Sequence, residues 1–150
     1  MGKLEVHARR TVGAPAADVY RYIADMSEHH PHFLPPAFSG FQVTSGGMGA
    51  GTTTQFTLTA GGRNREYRMA VAEPEPGRVL TESDTASSLV TRWTVTPQGD
   101  SSEVEITTSW DGAGGVGGFF EKMFAPRVMA KLYDDELQRL DGYARAQRGS

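Results

Sequence analysis

The strongest constraint on this fold lies at the C-terminal end, where one long amphipathic helical pattern follows a series of strand-like segments. Phe120, Phe124, Val128, Leu132 or Tyr133, Leu137, Leu140 and Ala144 recur every three or four residues, with Glu121, Lys122, Asp134, Gln138 and Arg145 between them. A terminal helix preceded by strands has one place to bury such a stripe, the face of the sheet. Burial contributes roughly 1.5–3 kcal/mol per large apolar side chain, which makes this helix the main organiser of the fold. Pro126 is the discordant residue, because proline lacks an amide donor and crowds the turn before it. It marks either a kink or the true start of the helix.

The preceding segments carry the period of strands. Leu4, Val6, Ala8, Arg10 and Val12 alternate with Glu5, His7, Arg9 and Thr11, so one face of this strand is buried. Gly13-Ala14-Pro15 ends it and Pro15 opens a short helix that runs to about Met26, with Val19, Tyr20, Tyr22 and Ile23 clustered. Three prolines among Ser27 to Pro36 predict a turn or a second short helix. Six further strands are expected at Phe41–Ser45, Thr52–Thr59, Arg63–Glu73, Arg78–Asp84, Leu89–Thr96 and Glu103–Trp110. The breaks between them are mostly of hairpin length, which predicts antiparallel pairing. The expected architecture is α+β: seven curved antiparallel strands around a long C-terminal helix, with two short helices after the first strand closing one end. A sheet that wide leaves room for a cavity beside the helix.

At 150 residues the chain fits one domain spanning 1–150. The absence of cysteine excludes disulfides and a thiolate nucleophile, and a formal charge of -3 gives no basic footprint for nucleic acid. The charged residues of Met1-Gly2-Lys3-Leu4-Glu5-Val6 stand where a signal peptide needs an apolar run, and Val6 does not fit a myristoylation signal. No segment approaches the roughly 20 apolar residues of a membrane span, so a cytoplasmic protein is expected.

Ala14-Pro15-Ala16-Ala17-Asp18-Val19-Tyr20-Arg21-Tyr22-Ile23-Ala24-Asp25, Pro76-Gly77-Arg78-Val79-Leu80, and Trp93-Thr94-Val95-Thr96-Pro97 followed by Glu103-Val104-Glu105-Ile106 form three distinctive stretches. Together they resemble the START/Bet v 1-like, or helix-grip, superfamily and its polyketide cyclase/dehydrase-like branch. The resemblance covers essentially the whole chain. It implies carriage of lipids, aromatic polyketides or other hydrophobic ligands, and in some branches partner proteins. The chain departs from the cyclase-like members at His29-His30-Pro31-His32-Phe33, where they often carry a tryptophan.

Strand parity assigns a lining for the expected cavity. Phe56 and Leu58, Arg65, Tyr67 and Met69, Thr91 and Trp93, and Trp110 fall on inward positions, and the long helix adds Phe120, Met123, Phe124 and Arg127. The set is mostly apolar and aromatic with a few polar groups, the composition of a small-molecule pocket. Core packing alone accounts for any one of these residues; the expected architecture is what asks for a lining. A buried Arg65 would need an acidic partner or an anionic ligand. Glu82 and Asp84 are candidates, although apolar residues on both parities at Val79-Leu80 leave the facing of their strand open.

Two motifs are set aside. Gly112-x-Gly114-x-x-Gly117 matches a dinucleotide fingerprint in spacing, but that fingerprint belongs to a parallel βαβ unit and no strand follows this helix. His29, His30 and His32 sit on a proline-broken segment from which they cannot all converge on one ion, so no metal and no cofactor is expected; a general acid or base from the trio stays open. The reading is a module that binds a hydrophobic small molecule, with a cyclase/dehydratase-like enzyme using Arg65, Tyr67 or a histidine as the alternative and a protein-interaction module as the third.

Overall fold

The computed structural model describes residues 3–60, 62–111 and 126–148. Its elements follow the expected order: β1 (Lys3–Val12), α1 (Ala16–Ala24), a single 3-10 turn (His30–Phe33), β2 (Phe38–Ser45), β3 (Thr53–Ala60), β4 (Arg63–Glu75), β5 (Val79–Asp84), β6 (Val90–Gln98), β7 (Ser101–Asp111) and α2 (Pro126–Arg148). The strands form one antiparallel sheet in the order β1-β7-β6-β5-β4-β3-β2. Each consecutive pair from β2 to β7 is a hairpin, and the first strand closes onto the last. The short helices are inserted where β1 must cross from one edge of the sheet to the other.

Several strands extend beyond their expected bounds: β6 to Gln98 and β7 from Ser101 to Asp111 by regular pairing, and β2 and β4 at bulges. β2 begins at Phe38 because Gly40, at φ 63°, accommodates a register shift between Ser39 and Gln42 and the chain goes on pairing beyond it. β4 runs past Glu73 through Pro74, which falls in the register shift between Ala72 and Glu75, where no ladder donor is needed. Such shifts bend and twist the sheet locally.

The inward face follows parity. Ser102, Val104, Ile106, Thr108 and Trp110 of β7 are buried, as are Phe56 and Leu58 of β3, Tyr67, Met69 and Val71 of β4, and Thr91, Trp93 and Val95 of β6. Against them α2 buries Met129, Tyr133, Glu136, Leu137, Leu140 and Ala144. The stripe differs from expectation at its start: Val128 is 40% exposed and Met129 takes the inward place. Positions 129, 133, 137, 140 and 144 form one continuous row at helical spacing, and Val128 lies about 100° round from it. Phe120, Phe124 and the glycine run at 112–118 lie outside the described residues.

The far end of α2 is pinned to the bend after β1. The Gly13 amide donates to Asp141 Oδ1 at 2.9 Å, Arg148 Nη1 donates to the Gly13 carbonyl at 2.8 Å, and Arg145 Nε donates to Asp141 Oδ1 at 2.9 Å. A Cβ at Gly13 would stand 2.5 Å from the Arg145 guanidinium carbon, so a larger residue here would push that flexible side chain aside. Among the described residues no helix is long and apolar enough to cross a membrane.

Candidate functional site

Between the inward face of the sheet and the first turns of α2 lies a partly open cavity. Phe38 and Phe41 of β2, Phe56 and Leu58 of β3, and Tyr67 and Met69 of β4 form one wall. Thr91 and Trp93 of β6 and Leu89 before it form the second, and Met129 and Tyr133 of α2 the third. The rings interlock: Phe56 stacks at 5.5 Å on Tyr67, and Phe38 meets Phe56 edge-on at 5.4 Å. The helix fills the far part of the groove with Leu137, Leu140 and Ala144, all fully buried, and the near part stays partly empty.

At its inner end the cavity meets three buried ionisable groups: His30, Glu82 and Glu136 are 1%, 7% and 3% exposed and all line it. The 3-10 turn that follows α1 carries His30 under the sheet, where its ring packs 4.7 Å from Phe33 and edge-on to Trp93 at 5.4 Å. Its Nδ1 lies 2.7 Å from the carbonyl of Ile23. A carbonyl only accepts, so Nδ1 carries the hydrogen and Nε2 is the nitrogen that turns to Glu136 Oε2, 3.7 Å away. Trp93 Nε1 donates to Glu82 Oε2 at 2.8 Å. Beside them the Tyr133 hydroxyl bonds to Thr108, which bonds in turn to Thr91 at 2.8 Å.

Burial pushes the Glu136 carboxyl above the ordinary carboxylate value, and the neighbouring His30 offsets only part of that shift. For His30 burial acts downward, yet the Glu136 and Glu82 carboxylates and the Ile23 carbonyl outweigh it and leave the imidazole more basic than usual. The pair thus holds protons that solvent-exposed groups would release. Burial also raises the Tyr67 and Tyr133 phenols, which keeps both as neutral hydroxyls.

A second polar pair flanks the wall. Arg65 Nη2 bonds to Asp84 Oδ2 at 3.1 Å, Ser87 Oγ donates to the same oxygen at 2.6 Å, and the guanidinium sits 4.6 Å over the Tyr67 ring. Asp84 is therefore the acid that faces Arg65, while Glu82, two residues earlier on the same buried row with Leu80, points to the cavity.

Of the expected lining, Phe56, Leu58, Tyr67, Met69, Thr91 and Trp93 meet at the cavity. Arg65 stands behind Tyr67, and Trp110 is buried on β7 away from the cavity wall. Arg127 was expected inward and is exposed instead, because the first turn of α2 directs Met129 and not Arg127 to the sheet. Phe120, Met123 and Phe124 lie outside the described residues. Sequence reasoning missed Glu136, although a signal was present: it sits three residues after Tyr133 and four before Leu140, within the helix's own inward spacing.

The sequence profile of a family described as polyketide cyclase / dehydrase and lipid transport matches residues 3–145. Among solved structures, the KanY protein is 37% identical, with a TM-score of 0.85 over 97% of this chain and 99% of that one. TTHA0849 from Thermus thermophilus is 21% identical, with a TM-score of 0.77 over 96% and 99% of the two chains. A START superfamily protein from Mycobacterium smegmatis is 14% identical, with a TM-score of 0.73 over 97% and 99%. Among proteins with curated functions, none matches the sequence.

Proposed function

Because this chain belongs to the polyketide cyclase / dehydrase and lipid transport family, with the START/Bet v 1-like helix-grip fold, we propose that it binds a hydrophobic small molecule, such as a lipid, a polyketide or another aromatic or acyl compound, in the cavity between sheet and α2. One observation carries the reading: a partly open cavity between sheet and helix, walled by Phe38, Phe41, Phe56, Leu58, Met69, Trp93 and Met129. Water gains little from such walls, so an apolar guest displaces it favourably at roughly 25 cal/mol per Å2 of surface covered, less the cost of fixing the guest.

The test is fluorescence titration with N-phenyl-1-naphthylamine, a neutral apolar probe that brightens in dry surroundings. Saturable brightening that is lost when Met129→Trp fills the space supports the reading. No saturable brightening, or brightening indifferent to that substitution, contradicts it.

A second reading, a cyclase/dehydratase-like enzyme, is favoured by the ion pair of His30 and Glu136, 3.7 Å apart at the cavity wall. Arg65 is the weaker candidate for moving protons, since its charge is committed to Asp84. Turnover of a reactive polyketide-like substrate that vanishes in His30→Gln while probe binding persists would establish this reading.

A further inference from the structure

The inner end of the cavity sets two acids, Glu82 and Glu136, against one base, His30. His30 faces two carboxyls, Glu136 at 3.7 Å and Glu82 beyond it, and an imidazolium neutralises only one of them. The other charged groups nearby cancel, since Arg65 pairs with Asp84 at 3.1 Å. The tyrosines add no positive charge: Tyr133 bonds to Thr108, and Tyr67 lies under the Arg65 guanidinium. Neither carboxyl is well supplied with donors. Among the described residues Glu82 accepts from the Trp93 indole through one oxygen, and Glu136, 3% exposed, has His30 as its partner at 3.7 Å, beyond hydrogen-bond reach. Both line the cavity, so their remaining acceptor capacity is directed at whatever occupies it.

Resting on the ligand-binding reading above, the geometry points to a ligand with a protonated amine at one end of its hydrophobic body, held by Glu82 and Glu136 at the inner end of the cavity. The apolar walls take the body. The amine supplies the donors and the positive charge that the two carboxyls lack, as charge-assisted hydrogen bonds in surroundings of low dielectric. A ligand ending in a carboxylate would set a further acid beside these two and is rejected.

The test displaces N-phenyl-1-naphthylamine at neutral pH with three ligands of one shape: 2-naphthylmethylamine, 2-naphthylmethanol and 2-naphthoate. The amine is expected to compete about tenfold better than the alcohol, and the carboxylate least. Glu82→Gln and Glu136→Gln are each expected to shrink the amine's advantage over the alcohol severalfold. If either variant fails to fold, the wild-type ranking decides alone. A wild-type protein that takes the probe but ranks the alcohol level with or above the amine overturns this inference and leaves the apolar cavity standing. A protein that takes neither the probe nor the amine overturns both.

Discussion

Raising the pH through neutrality is expected to weaken the fold by way of one buried pair. Glu136 is held above its ordinary value of 4.5 by burial, and His30 is held above 6.5 by the carboxylates around it. Each pKa is thus higher in the folded chain than in the unfolded one. Above pH 4.5 the folded chain keeps a proton on Glu136 that the unfolded chain has released, and above 6.5 the same holds for His30. Stability from each group is fully present below its unfolded value and is lost as the pH rises through its folded value. One extra proton on the folded side corresponds to a slope of about -1.4 kcal/mol per pH unit. In a domain of this size that is about 3–6 °C of melting temperature per pH unit. The two groups share a partner, so the protons leave in steps that belong to the pair. Urea unfolding at intervals from about pH 5 to 9, for the wild type and for Glu136→Gln, isolates the Glu136 proton together with the hold of Glu136 on His30, because the remaining titrating groups are common to both. The wild type minus variant difference should fall with pH. A flat or rising difference would refute the placement of an acid and an imidazole together in a dry interior.

Leu140→Ala, which empties a fully buried position where α2 crosses the sheet, should lower stability by about 2–5 kcal/mol in denaturant unfolding; a loss under about 1 kcal/mol would mean that the helix is not clasped. Trp93→Phe removes the indole donor from Glu82 and should destabilise by about 1.5–3 kcal/mol, with circular dichroism unchanged at low denaturant. Gly13→Ala forces the Arg145 guanidinium aside and breaks its bond to Asp141, a partly exposed pair, so the melting temperature should drop by only a few degrees.

The parts of the fold that local periodicity writes were legible in the sequence. Alternation on β3, β4, β6 and β7 placed Phe56, Leu58, Tyr67, Met69, Trp93 and Ile106 inside, and helical spacing placed Leu137, Leu140 and Ala144 against them. The polar end of the cavity was not legible, because long-range placement makes it. His30 comes under the sheet only through the 3-10 turn after α1, which a proline-broken segment does not announce. Glu136 adjoins Leu137 on the helix, so its charge reads as the border of the apolar stripe rather than part of it. Glu82 was ambiguous because Val79 and Leu80 put apolar residues on both parities of β5, and Thr81, on the face opposite Glu82, is buried as well.

The two tryptophans of this chain can report whether an apolar guest enters the space between sheet and helix, on which the whole functional reading depends. Trp93 lines that space, whereas Trp110 is buried outside its wall. In a proton–nitrogen correlation spectrum recorded during titration with N-phenyl-1-naphthylamine, the Trp93 indole signal should move and saturate while that of Trp110 stays nearly still, with probe contacts to the methyl groups of Met69 and Met129. A Trp93 signal that does not respond to bound probe, with contacts confined to the outer surface, would show that the guest binds elsewhere.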